Sequence, residues 1–208
     1  MISELDYLEC GEFLGCEAAV VKAVKEVEAP MGGLDETGRV VMLFEPHIFW
    51  RELRKRGFSV DKLELLRKNN TRILSPVWNV KLYAPLKRKA NKAIDWVATM
   101  DERYEILEQA KNIDENIALK SCSWGAFQIM GFNFDAAGFD SVFDMVRVFG
   151  LGERFQLMAF AEYVKSNYLD DELRAKDWAG FARGYNGPQY YKNKYDVLLE
   201  KAYLKHKN

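Results

Sequence analysis

Histidine and cysteine are scarce in this chain of 208 residues: His47 and His206 of the first, Cys10, Cys16 and Cys122 of the second. Two histidines cannot build a His-rich metal site, and three cysteines without close pairing lack metal-ligand spacing, so no metal and no cofactor is expected. The thiols are expected to stay reduced, as in a cytosol, with Cys122 an inert buried one. With 14 Gly and 5 Pro, collagen-like and low-complexity readings fail. There is no run of 18 apolar residues, so no membrane span or stable membrane insertion is expected. Met1 to Cys10 is acidic and has no basic start before an apolar core, so no secretory signal peptide is expected. The formal net charge is only -1, which gives no global grip on nucleic acid. No Walker loop, dinucleotide fingerprint or zinc spacing occurs, and Gly150-Leu151-Gly152 reads as a helix break.

What is present is an ordinary globular composition, 49% hydrophobic and 29% charged. A chain of this length buries about 70% of its unfolded surface and needs no staple. Charge is unevenly spread. Residues 1–50 carry 3 basic and 10 acidic side chains, residues 51–92 carry 13 and 3, a local net of +10. That stretch is either a solvated face or a surface for an anionic partner.

The helical period dominates. Glu17 to Val27 places Ala19, Val20, Ala23, Val24 and Val27 on one face, and Pro30 with Gly32-Gly33 ends it. Gly38 to Phe44 reads as a strand, half of a small hairpin. Pro46 opens a helix to about Arg56. Residues 69–86 are irregular. A long helix is expected over 87–111, shorter ones near 123–130 and 139–149, then 152–168, 176–184 and 189–204. No repeat or linker separates two hydrophobic cores, so one mostly helical domain over 1–208 is expected, with a small β element.

Some residues stand where chemistry is done. Glu28 ends an apolar helix face just before a Gly-rich loop. Partial desolvation there raises a carboxyl pKa towards general-acid range, although many helices end in a solvated Glu. Glu45 follows an apolar run and precedes Pro46, at a helix N-terminus that favours its ionised form; a purely structural charge is the alternative. Different environments push paired carboxyls towards acid and base roles. Ser121 to Asn133 mixes hydroxyls, Trp124 and the amides Gln128 and Asn133. Such a mixture suits a sugar site, rings covering C–H faces and amides bonding hydroxyl and acetamido groups, or else a tightly packed helix. Gly184, Gly187 and Pro188 mark a turn that presents Tyr185, Asn186 and Tyr190, or simply packs them.

Four stretches, Ala18–Glu28 (AAVVKAVKEVE), Leu43–Trp50 (LFEPHIFW), Ala118–Phe134 (ALKSCSWGAFQIMGFNF) and Asp177–Tyr190 (DWAGFARGYNGPQY), together resemble the N-acetylmuramidase domain of bacteriophage endolysins, in the lysozyme-like superfamily. Order and spacing agree across essentially the whole chain. The resemblance implies a mainly α (α+β lysozyme-like) fold, with a small β-hairpin beside the active-site cleft. It implies hydrolysis of the β-1,4 bond between N-acetylmuramic acid and N-acetylglucosamine in peptidoglycan. By the resemblance Glu28 is the general acid and Glu45 the second carboxylate. Tyr83, Ser123, Trp124, Gln128, Asn133, Tyr185, Asn186 and Tyr190 are its substrate-binding candidates, with Ser123, Trp124 and Gln128 on a cleft helix. Family members usually have Glu-Ser-Gly-Gly or similar after the catalytic helix; here Glu28 is followed by Ala29-Pro30-Met31 before Gly32-Gly33, so the serine is absent.

The expected partner is the bacterial glycan strand, for a monomer that waits in the host cytoplasm until release. Many members carry a separate wall-binding module, which is not expected here. The +10 stretch is expected to supply part of that attraction. Lysis should then weaken as salt rises, and activity on intact walls that ignores salt contradicts it. The rival readings are a lytic transglycosylase, which leaves a 1,6-anhydro end, and a non-catalytic peptidoglycan-binding protein.

Overall fold

Local chemistry sets most of the helix boundaries. The computed structural model describes residues 2–28, 32–79, 87–90, 93–96 and 99–207. Ser3 accepts a bond from the Asp6 N–H while Asp6 reaches back, a capping box that starts α1 (Glu4–Leu14). Helix α2 (Ala18–Glu28) buries Val20, Val21, Ala23 and Val24. Strand β1 (Met42–Phe44) leads into α3 (Pro46–Lys55), with Pro46 at the first helical position and Glu45 at the N-cap. Ser59 caps α4 (Val60–Asn69). Strands β2 (Lys87–Ala90) and β3 (Ala93–Trp96) pair antiparallel, with Ala90 opposite Ala93.

After them come α5 (Met100–Lys111), α6 (Glu115–Lys120), β4 (Cys122–Trp124) and β5 (Ile129–Met130), then a single 3-10 turn at Gly131–Asn133. The rest is helical: α7 (Val142–Phe149), α8 (Glu153–Ser166), α9 (Asp170–Ala175), α10 (Trp178–Asn186) and α11 (Tyr195–His206). Strands β1, β4 and β5 form a three-stranded sheet in that order. The expected mainly helical fold with a small β element is what the chain adopts.

Two expected helices are corrected. Residues 87–111 are not one helix. The Thr99–Glu102 capping box starts α5 at Met100, and 87–96 hold the β2–β3 pair instead. Residues 123–130 are strand, turn and strand, so the cleft helix assigned to Ser123, Trp124 and Gln128 is absent. Gly125 (φ +71°) and Gln128 (φ +50°) both take left-handed backbone, which a right-handed helix does not accept. Helices α1, α4, α6 and α9 were not anticipated.

The chain folds as two compact units. One comprises residues 1–41, 124–129 and 133–208; the other comprises 42–123 and 130–132. In the first, α2 packs on α11 and on α1, and α1 also packs on α8. Leu14, Val20, Val24, Trp124, Phe149, Phe160, Phe181 and Leu199 are among its buried side chains. Burial of each large apolar group contributes about 1.5–3 kcal/mol. In the second, α5 and α6 pack together, α3 packs on α6 and α5 on β1, around Phe49, Leu53, Leu63 and Leu107.

Candidate active site

In the first unit α2 ends at Glu28 and α10 at Asn186, and the two side chains meet. Asn186 Nδ2 donates to both carboxylate oxygens of Glu28, at 3.2 Å and 3.0 Å. Burial pushes the Glu28 carboxyl up to about 6, and the bond from Asn186 opposes that rise. Asn186 Oδ1 is buried and, among the described residues, accepts no hydrogen bond. Removing the amide removes the hydrogen bond that favours the anion. Asn186→Leu should therefore raise the Glu28 pKa above its wild-type value and carry the basic limb of any Glu28-dependent activity to higher pH. A carboxyl-carbon NMR titration reads this directly, and an unmoved midpoint contradicts it.

Tyr185, one residue before, is half-buried, and its ring is packed. Its ring stacks on Phe181 at 5.4 Å and meets Phe160 and Tyr163 edge-on at 5.7 Å and 5.9 Å. Its hydroxyl donates to the Phe127 carbonyl at 2.9 Å. Burial, then the charges of Glu28 and Tyr163, hold the phenol well above its ordinary pKa, so it stays a donor. Tyr195, the first residue of α11, was not singled out from the sequence. Burial and then Glu28 raise its pKa, and a side-chain bond with Asn193 works against the rise. Its only sequence signal was its place just beyond the Tyr-Asn-Gly-Pro stretch.

The turn 125–128 backs this group. Gln156 of α8 is 1% exposed. Its Oε1 accepts from Ala126 N–H at 2.7 Å, and its Nε2 donates to the carbonyls of Gly33 and Phe149 at 3.2 Å and 3.0 Å. Gly33 N–H donates to Glu153 Oε1 at 2.7 Å. A Cβ on Gly33 would collide with Gln156 Oε1 and stand 2.8 Å from Ala126 N, and one on Gly125 would stand 2.7 Å from the same oxygen. Both positions thus require glycine for close approach. Beyond Gly33, burial works against ionising Asp35, but bonds from Thr37 and Arg39 hold its carboxyl at about 2 and close the 34–40 turn.

The remaining candidates are dispersed. Trp124 is 0% exposed, its ring within the core. Gln128 is exposed, and its Nε2 donates to the Gly125 carbonyl at 2.7 Å. Asn133 is half-buried at the end of its 3-10 turn, and Tyr190 is half-buried at the start of another. Glu45 and Ser123 belong to the second unit. There the Glu45 N–H donates to the Ser121 carbonyl at 2.9 Å, and Glu45 Oε2 lies 3.4 Å from His47 Nδ1. Burial, then Arg51, lowers the His47 pKa, which keeps the ring neutral near pH 7. Arg103 anchors β1 by donating to the Met42 carbonyl at 3.0 Å. Cys122 is fully buried and its thiol is pushed well above its ordinary pKa, first by burial and then by Glu45, which makes it unreactive. Tyr83 lies outside the described residues. Among the described residues no cluster of His, Cys, Asp and Glu suits a metal ion, and no helix is long and apolar enough to cross a membrane.

The family model described as Muramidase, N-acetylmuramidase, matches residues 17–207. The chain is also similar to the Burkholderia AP3 phage endolysin, known from its crystal structure, with 33% identity and a TM-score of 0.79. That match covers 99% of this chain and 71% of the other. No curated protein matches it.

Proposed function

Because the chain belongs to the N-acetylmuramidase family, lysozyme-type glycoside hydrolases, we propose that it is a peptidoglycan-degrading endolysin in which Glu28 is the general acid. The observation that carries this reading is the Glu28 carboxyl, held by Asn186 and raised to about 6 by burial. A carboxyl in that range is protonated in a useful fraction near neutral pH and still parts with its proton. The bond cleaved is the β-1,4 linkage between N-acetylmuramic acid and N-acetylglucosamine. The Glu28 proton passes to the glycosidic oxygen as the bond from that oxygen to the anomeric carbon breaks, through an oxocarbenium-like transition state. Water adds to the anomeric carbon and gives up a proton to the second carboxylate acting as base, or to the Glu28 carboxylate where the second one only stabilises the cation. The resemblance assigns that second carboxylate to Glu45, as base or as stabiliser of the cation.

Asn186 serves both protonation states. Its amide donates to the carboxylate, and a half-turn about its Cβ–Cγ bond lets the unused Oδ1 accept from the neutral carboxyl. Gln128, Asn133, Tyr190, Ser123 and Tyr83 are proposed sugar contacts, and Tyr185 acts behind Glu28. Residues 1–208 are proposed as one catalytic domain acting as a monomer on glycan strands, reached from the host cytoplasm.

The test is muropeptide analysis of purified peptidoglycan digested by the protein. Reducing muramic-acid ends are expected. Anhydro-muramic ends would make it a lytic transglycosylase, with the sugar's own 6-hydroxyl attacking in place of water. Binding without cleavage would reduce it to a wall-binding protein.

A further inference from the structure

Two separate routes lead from Glu28 into the body of its unit, and both end on one side chain. Along the chain, Glu28 is followed within five residues by Gly33, whose carbonyl accepts from Gln156 Nε2 and whose N–H donates to Glu153. Through space, the Glu28 carboxylate is held by Asn186; its neighbour Tyr185 donates to the Phe127 carbonyl, and the N–H of Ala126 before it donates to Gln156 Oε1. Gln156 sits far away in sequence on α8, is buried, and spends its amide entirely on backbone groups of three different segments, 33, 126 and 149. A buried amide with every polar atom bonded fixes those segments relative to each other far more sharply than apolar contact does. The glycines at 33 and 125 leave no slack, since a Cβ on either one would press on the same oxygen.

We propose that Gln156 is a positioning residue for Glu28: it locks Gly33, five residues after the acid, to the turn that supports Tyr185, the neighbour of Asn186. This rests on the reading of Glu28 as the acid. On the C-terminal side of the acid, the grip from α8 falls on Gly33, through Gln156 and Glu153. Gln156 touches no reacting atom. Its effect is on the orientation of the Glu28 carboxyl and on the exclusion of water from it.

The experiment compares wild type with Gln156→Met, which keeps the length and loses every hydrogen bond. Gln156→Glu is the second variant; it keeps the acceptor for Ala126 and loses the donor to Gly33 and Phe149. Three readouts are taken on the full chain well below its melting temperature: kcat and KM on purified glycan strands, the pH dependence of kcat, and the titration of the Glu28 carboxyl carbon by NMR. In Gln156→Met, kcat should fall by about 10- to 100-fold, the scale of a small misplacement of a catalytic group, with KM within about threefold of wild type. The Glu28 titration and the basic limb of kcat should both move down towards an ordinary glutamate as water gains access. Gln156→Glu should show the same changes and remains informative if Gln156→Met does not fold. A lowered melting temperature with wild-type kcat and an unmoved Glu28 titration would overturn the proposal and leave Gln156 a purely structural amide. Glu28→Gln in the same assay separates the two claims. If it stays active, the acid assignment fails, while the Glu28 titration in the Gln156 variants still reports whether Gln156 positions that carboxyl.

Discussion

Glu28→Gln should abolish glycan cleavage and at the same time stabilise the folded chain above pH 6. The first effect follows from the loss of the only proton that Glu28 can give to the leaving oxygen; removal of a general acid costs about 10²–10⁴-fold. The second follows from the raised pKa. In the fold the Glu28 carboxyl titrates at about 6 against an ordinary value of 4.5. A group raised on folding contributes stability that is complete below the unfolded value and is lost as pH rises through the folded one. The wild-type chain therefore gives up as much as about 2 kcal/mol between pH 4.5 and 7 at this residue, and the neutral amide does not. Thermal unfolding should show the variant melting about 5 °C higher at pH 7.5 and level with wild type at pH 4. The amide still accepts a bond from Asn186, so the site keeps its shape. A folded variant that retains substantial turnover removes Glu28 from the acid role. Equal melting temperatures at pH 7.5 would mean that the carboxyl is solvated and not held in a desolvated site.

Trp124→Ala should be the most destabilising single truncation. Trp124 is among the largest fully buried side chains of the chain, and it leads into the turn that Gln156 holds. Emptying such a site costs about 3–5 kcal/mol, which for a chain of this size lowers the melting temperature by about 10 °C. The sequence offered Trp124 as a ring for stacking on sugar, because Trp beside Ser and Gly is what such platforms use. Burial assigns it to packing. Trp124→Phe should then keep KM for glycan near wild type while losing part of the stability. A large rise in KM with an unchanged melting temperature would return the ring to the substrate.

The division between what was legible in the residues and what was not has a physical basis. Helices α2, α3 and α8 carry an apolar stripe or a Pro start, and the expected spans fall within a few residues of the observed ones. Ala90 and Ile94 also fall at helical spacing, in step with Val97, Tyr104, Leu107 and Ala110, and that stripe led the expected helix across the β2–β3 pair although the Thr99 and Glu102 pair that starts α5 stood in plain view. Residues 125–128 failed for a different reason: positive φ at a glutamine leaves no pattern in sequence. Glu28 stood out because an acid at the apolar end of a helix is a local feature. Its partnership with Asn186 is a contact across 158 positions, and the role of Gln156 depends on three distant backbone groups. Neither leaves a periodic trace, and a lone glutamine in an amphipathic helix looks like any other.

The interleaving of the chain has a consequence for biosynthesis. Helix α2, with Glu28 at its end, is made well before the helix it packs on, α11, and before the amide it meets, Asn186, 158 positions later. Contacts of such sequence separation are closed late, after loop entropy has been overcome. A nascent chain stalled before α10 thus carries the acid without its holder. Burial and hydrogen bonding of the Glu28 carboxyl are complete only once α10 and α11 have been made.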